Sequence, residues 1–183
     1  RVRSSAASDV YKRQEPDRLP IVQQMILAKD DKTREECLKK LGTFQRKDFI
    51  GIFRVMHGLP VTIRLIDPPL HEFLPSYEEL LVEVTTLRVN GKHPRRLKER
   101  EELLNEVALM REVNPMLGLR GCRLGIMFPG ITRMQVRAIF EAACMLKKEG
   151  AEVEPEIMIP LVGHVNELRI EREALEGVAK AVM

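Results

Sequence analysis

The chain has 183 residues, 44% of them hydrophobic, 31% charged and 4% aromatic, with no Trp and a formal net charge of +3. This is the composition of a folded globular chain with room for a sizeable core. The scarcity of stacking rings argues against a single-stranded nucleic-acid binder, the small net charge points to neither nucleic acid nor a membrane surface, and no apolar run approaches a membrane span.

The opening RVRSSAASDVYKRQ is basic, rich in Ser and Ala, and without hydrophobic periodicity. A transit peptide is one reading. The stretch more closely resembles translated cloning or adapter sequence, so 1–14 is expected to be a disordered leader outside the fold. Both ends read as cuts, and 15–183 as an incomplete domain.

After the leader, IVQQMILA (21–28) predicts a short apolar helix. Thr33 with Glu36 reads as a capping box for a second helix to about Leu41. KDFIGIFRVMHG (47–58) carries Phe49, Ile50, Phe53 and Met56 on one face and stops at Gly58. VTIRLID (61–67) is the first strand, rich in β-branched residues and closed by Pro68-Pro69. Val61, Ile63 and Leu65 fall on one side of it, Thr62, Arg64 and Ile66 on the other. Ser76 and Glu79 start a helix at YEELLVEVTTL, residues 90–96 form a turn, and 97–113 form a charged amphipathic helix ended by Asn114-Pro115. LGLRGCRLGI (117–126) reads as a glycine-punctuated strand or loop. Thr132 and Gln135 cap the helix MQVRAIFEAACMLKKEG, EPEIMIPLVG (154–163) is a buried strand, and a last helix starts near Asn166. Strands alternating with helices imply an α/β fold of parallel βα units. With three strands legible, the choice lies between an open doubly wound sheet and a piece of a (β/α)8 barrel.

Arg64 and Arg120 both lie near the C-terminal ends of these predicted strands, the edge where parallel α/β folds bind ligands. An arginine in an apolar run needs a partner. A carboxylate such as Asp67 or Glu72 and an anionic ligand gripped by both guanidiniums are equally good answers. Gly118, Gly121 and Gly125 fit either, by letting backbone approach a ligand or elements pack closely. His71 and Glu72 are adjacent and point apart, and His57, His93 and His164 show no ligand spacing. Cys37, Cys122 and Cys144 form no C-x-x-C pair and read as reduced thiols of a cytoplasmic protein, with Cys122 a packing residue. The charge run at 95–102 is a solvated helix face, and the methionines at 25, 56, 110, 116, 127, 134, 145 and 158 are core candidates.

VTIRLIDPPLHEFLP and NPMLGLRGCRLG together resemble the phosphoenolpyruvate-utilising enzymes and, by their D-P-P-L-H-E-F-L-P and G-C-R-L wording, the pyruvate, phosphate dikinases within them. RLPIVQQMILA and MQVRAIFEAA are similar to the same family, so the likeness runs over roughly 15–183. It implies a partial (β/α)8 TIM barrel preceded by a helical segment, with VTIRLID, GLRGCRL and EIMIPLV as its second, third and fourth strands. It implies phosphotransfer that interconverts ATP, phosphate and pyruvate with AMP, pyrophosphate and phosphoenolpyruvate, through a phosphohistidine on another domain of the intact chain. Arg64 and Arg120 match the family's substrate-binding, catalytic arginines, and Arg123 is a lesser substrate-binding candidate. The resemblance places the phosphorylatable histidine upstream on another domain, so none of His57, His71, His93 and His164 takes that role. It places the Mg2+ ligands and the acid cysteine beyond Met183, so Cys122 is not that cysteine. The intact enzyme is expected to be a cytoplasmic homodimer without nucleic-acid or membrane partners, and this piece to be inactive. The rival readings are phosphoenolpyruvate synthase, which has a similar barrel, and a non-catalytic α/β interaction module.

Overall fold

A computed structural model describes residues 4–5, 17–67, 70–91, 93–111 and 118–183. Its elements run β1 (Ser4–Ser5), α1 (Leu19–Leu27), α2 (Asp31–Val55), β2 (Pro60–Arg64), a 3-10 turn (Leu70–Phe73), α3 (Tyr77–Asn90), α4 (Pro94–Met110), α5 (Gly121–Met127), α6 (Pro129–Lys148), β3 (Glu154–Met158) and α7 (Val165–Val182). The fold is α/β and mostly helical. Its contacts divide the chain into two units, Arg1–Pro68 with Leu119–Met183, and Pro69–Gly118.

The larger unit is built on a parallel sheet of order β1-β2-β3. Ser4 pairs with Val61, and Val61, Thr62 and Ile63 pair with Pro155, Glu156 and Ile157. β1 therefore falls inside the stretch that the sequence pattern sets aside as a leader. Val61 and Ile63 alternate inward and are almost fully buried. They pack with Phe49 and Phe53 of α2 and with Ala138, Ile139, Ala142 and Leu146 of α6. On α6 these apolar residues recur at helical spacing, which gives it one continuous buried face. A second cluster joins Leu65 and Val136 to Leu175 and Val178 of α7.

Several boundaries differ from the sequence pattern. The two helices expected over 33–41 and 47–58 are one, α2, because nothing between them breaks the apolar stripe. Its N-cap is Asp30, whose carboxylate accepts from Thr33 N at 2.7 Å, one turn before the expected capping box. Thr132 and Gln135 are not caps: α6 begins at Pro129, and both lie buried on its inner face. GLRGCRL is not a strand: Gly118–Arg120 is loop and α5 starts at Gly121. β2 and β3 are consequently direct neighbours, with no strand between them. Nor is EPEIM fully buried: Glu154, Glu156 and Met158 face away from the helices and are exposed. Of the methionines, Met25 is buried, Met56, Met110 and Met134 are half-buried, and Met127, Met145 and Met158 are exposed. Met116 and the Asn114-Pro115 break lie outside the described residues.

The smaller unit is a helical hairpin. Ser76 caps α3 by accepting from Glu79 N, and Gly91, in the left-handed region at φ 61°, ends it. α4 opens with Pro94 in its first turn. Arg88–Glu101 at 2.7 Å and Arg96–Glu83 at 2.8 Å join the two helices. The charge run at 95–102 is solvated as expected, with only Leu97, Arg100 and Glu101 half-buried.

Candidate functional site

The C-terminal edge of the sheet carries the site. The β2 ladder continues one step past its last residue, where Leu65 N donates to Met158 O. The next amide, Ile66 N, has no strand to donate to. The buried Gln135 side chain on α6 supplies the acceptor through Oε1 at 2.9 Å. This fixes the turn that puts Asp67 in place. Sequence pattern alone takes Gln135 for a cap, and no local signal marks its true partner.

Arg120 arrives from the loop before α5. Its Nη2 donates to Asp67 Oδ2 at 2.9 Å, and its Nε lies 3.2 Å from both Oδ1 and the Asp67 carbonyl. Arg64 reaches the same carboxylate less closely, with Nη1 3.6 Å from Oδ2. The side chains differ in exposure: Asp67 7%, Arg120 18% and Arg64 52%. One buried carboxylate thus holds one arginine firmly and a second loosely. Arg64 keeps about half of its side chain in solvent beside this carboxylate, whereas Arg120 is largely buried on it.

The close approach depends on Gly121. Its φ is 57°, and a Cβ there would lie 2.8 Å from Leu161 Cβ, 2.9 Å from Pro160 O and 3.1 Å from Asp67 Oδ1. Leu161 is itself left-handed at φ 62°, a costly conformation for a bulky residue that marks the end of β3 as strained. It is held by α5, since Cys122 N donates to Pro160 O at 3.0 Å and Cys122 Sγ to Leu161 O at 3.3 Å. Cys122 is a packing residue: it is buried, and burial raises its thiol pKa.

Arg123 stands apart from Asp67. Its Nε lies 3.9 Å from Glu167, at the start of α7. Glu167 accepts from Gly163 N at 2.8 Å and His164 N at 3.0 Å, and these backbone bonds hold its pKa below the ordinary glutamate value. His164 caps α7, and His57 Nδ1 accepts from Glu152 N, so both are structural. The side chain of His71 lies outside the described residues. Among the described residues no three His, Cys, Asp or Glu side chains stand close enough to hold a metal. Among the described residues the two buried acids are both engaged, Asp67 by the arginines and Glu171 by Thr132.

Residues 12–183 match the family model described as PEP-utilising enzyme, PEP-binding domain. The chain belongs to this family. It is 51% identical to the pyruvate, phosphate dikinase of Rhizobium meliloti over 170 residues, which is 92% of this chain and 18% of that protein. It is 50% identical to the pyruvate, phosphate dikinase of Giardia intestinalis over 166 residues, 91% of this chain and 18% of the relative. With the chloroplastic pyruvate, phosphate dikinase of Mesembryanthemum crystallinum it shares 47% over 167 residues, 91% of this chain and 17% of the relative. The chain thus spans less than a fifth of the length of these relatives. No helix among the described residues of this PEP-binding domain is long and apolar enough to cross a membrane.

Proposed function

We propose that this chain is part of the phosphoenolpyruvate/pyruvate-binding domain of a pyruvate, phosphate dikinase, and that Arg64 and Arg120 bind the substrate's anionic groups. The observation that carries this reading is the convergence of two arginines from separate segments on one buried carboxylate, at the ligand-binding edge of a parallel sheet. In the intact enzyme the substrate would exchange a phosphoryl group with a phosphohistidine borne by another domain of the same chain. The transferring group passes through a loose, charge-rich transition state, which positive charge fixed in advance stabilises. Asp67 does the fixing for Arg120. Arg64, with half its side chain in solvent, reaches the phosphoryl oxygens. Arg123 supports the site from behind through Glu167. Among the described residues no cluster of His, Cys, Asp or Glu offers a ligand set for Mg2+.

A (β/α)8 path is supported by sheet order following chain order, with parallel pairing and helical crossovers. EIMIP then follows VTIRL as the next strand. The polar row of Thr62, Arg64, Glu154 and Glu156 faces away from the helices, toward a barrel interior completed by other segments. By the same reading the intact protein is a cytoplasmic homodimer, and this segment alone does not turn over substrate.

Titration calorimetry with phosphoenolpyruvate tests the reading. Binding is expected, and Arg64→Ala should weaken it roughly 10–100-fold, the worth of one charge-assisted contact, while lowering the melting temperature by no more than about 4 °C. The engagement of Asp67 by both arginines favours a second reading, an ion-pair lock in a non-catalytic module. Under that reading phosphoenolpyruvate does not bind, and arginine substitutions alter stability alone.

A further inference from the structure

Glu171 on α7 is 3% exposed and plays no part in the arginine site as described. Its carboxyl is packed against the backbone of α5. A Cβ at Gly125 would lie 2.5 Å from Glu171 Oε1 and 2.4 Å from Thr132 Oγ1. Only a glycine leaves room for this acid and the hydroxyl that serves it. Gly121 stands one helical turn earlier on the same face, and its own missing Cβ makes room for Asp67 Oδ1 and the end of β3. The two glycines give α5 one flat side, seated on Asp67 at one end and on Glu171 at the other. The helix is seven residues long with Arg120 as its N-cap, so displacement at Gly125 is carried straight to that arginine.

We propose that Glu171 is a positioning residue for the arginine site: its carboxyl seats α5 on α6 and α7, and its ionisation lifts α5 and draws Arg120 and Gly121 away from Asp67. The proposal rests on the reading of Arg120 as an anion-binding group. Burial raises the Glu171 pKa above 4.5, and the bond from the Thr132 hydroxyl only partly opposes this. Among the described residues, no charged group contributes to the Glu171 titration. α6 offers Thr132, and the strand ends offer Leu65, Ile66, Ile159 and Pro160. From α5 the titratable groups are Cys122, whose pKa is raised, and Arg123, which is turned to Glu167. Because the folded pKa is raised, this seating is complete below the ordinary glutamate value and is lost as pH rises through the folded value.

The test is NMR on the full 183-residue chain with labelled glutamate carboxyls and arginine side chains. The Glu171 carboxyl should titrate with a midpoint above 4.5, and the Arg120 Nε–H and Gly121 amide signals should shift with that same midpoint. Glu167 titrates low, so it cannot imitate this. In Glu171→Gln, which keeps the shape and removes the charge, both shifts should vanish. The wild-type titration decides even where that variant fails to fold: Arg120 and Gly121 signals that ignore the Glu171 midpoint overturn the proposal. So do shifts that persist in Glu171→Gln. Phosphoenolpyruvate affinity across the same pH range separates the two claims. Coupled titration with no binding at any pH sinks the functional reading and leaves the positioning role. Binding with an unmoved Arg120 does the reverse.

Discussion

VTIRLID and GLRGCRL look alike as sequence, each an arginine set in a short apolar run, yet the chain uses them in opposite ways. The first is a strand whose inward residues anchor the core, and its arginine projects half into solvent. The second is a loop and a helix start, and its arginine is largely buried on Asp67. One arginine is thus committed to Asp67, and the other keeps half its side chain in solvent.

The largest expected effect tests that asymmetry. Arg120→Ala strands a buried carboxylate and should cost ~3–5 kcal/mol in denaturant unfolding, whereas Arg64→Ala should cost about 1 kcal/mol or less. Equal costs would abolish the distinction. Gly121→Ala comes next. Its Cβ meets Pro160 O at 2.9 Å and Leu161 Cβ at 2.8 Å on a left-handed backbone, so the loss should be about 2–4 kcal/mol. Gly150→Ala, with the same handedness at φ 86° and nothing within 4 Å, should lose only the strain, about 1–2 kcal/mol. The pair of melting curves isolates close packing from backbone conformation.

Acid titration probes the support behind the arginines. The folded pKa of Glu167 is lowered, so its contribution is present above the ordinary glutamate value and lost as pH falls through the folded value. Glu167→Gln should flatten the acid limb of the stability–pH curve. It should leave phosphoenolpyruvate affinity at neutral pH within about two-fold if Arg123 only buttresses the site. The smallest effect is expected in the helical hairpin, where Arg88→Ala removes an exposed ion pair and should change stability by ~0.2–1 kcal/mol.

Periodicity announces the elements whose partners lie on their own faces. The strand Pro60–Arg64, the hairpin of α3 and α4, and the last helix are visible because alternation, i,i+4 spacing and a Ser76 cap are local properties. The arginines are conspicuous for a similar reason, since a charge in an apolar run demands a partner wherever it lands. GLRGCRL defeats the same logic. Its apolar residues suit a strand or a helix, and the choice turns on Gly121 and Gly125, whose empty faces are filled by β3 and α7 from far along the chain. EPEIM misleads in the other direction, since the strand leaves Glu154, Glu156 and Met158 exposed on the face that the described helices do not cover.

Composition, periodicity and motif wording are enough for an α/β chain of the PEP-utilising family with Arg64 and Arg120 as its conspicuous cations, because each is carried by neighbouring residues. Which strands are adjacent, which arginine Asp67 holds tightly, and why Gln135 and Glu171 are buried depend on groups brought together from distant segments. Close packing settles these matters, since a glycine's missing side chain or a strand's unpaired amide has meaning only beside the group that fills it.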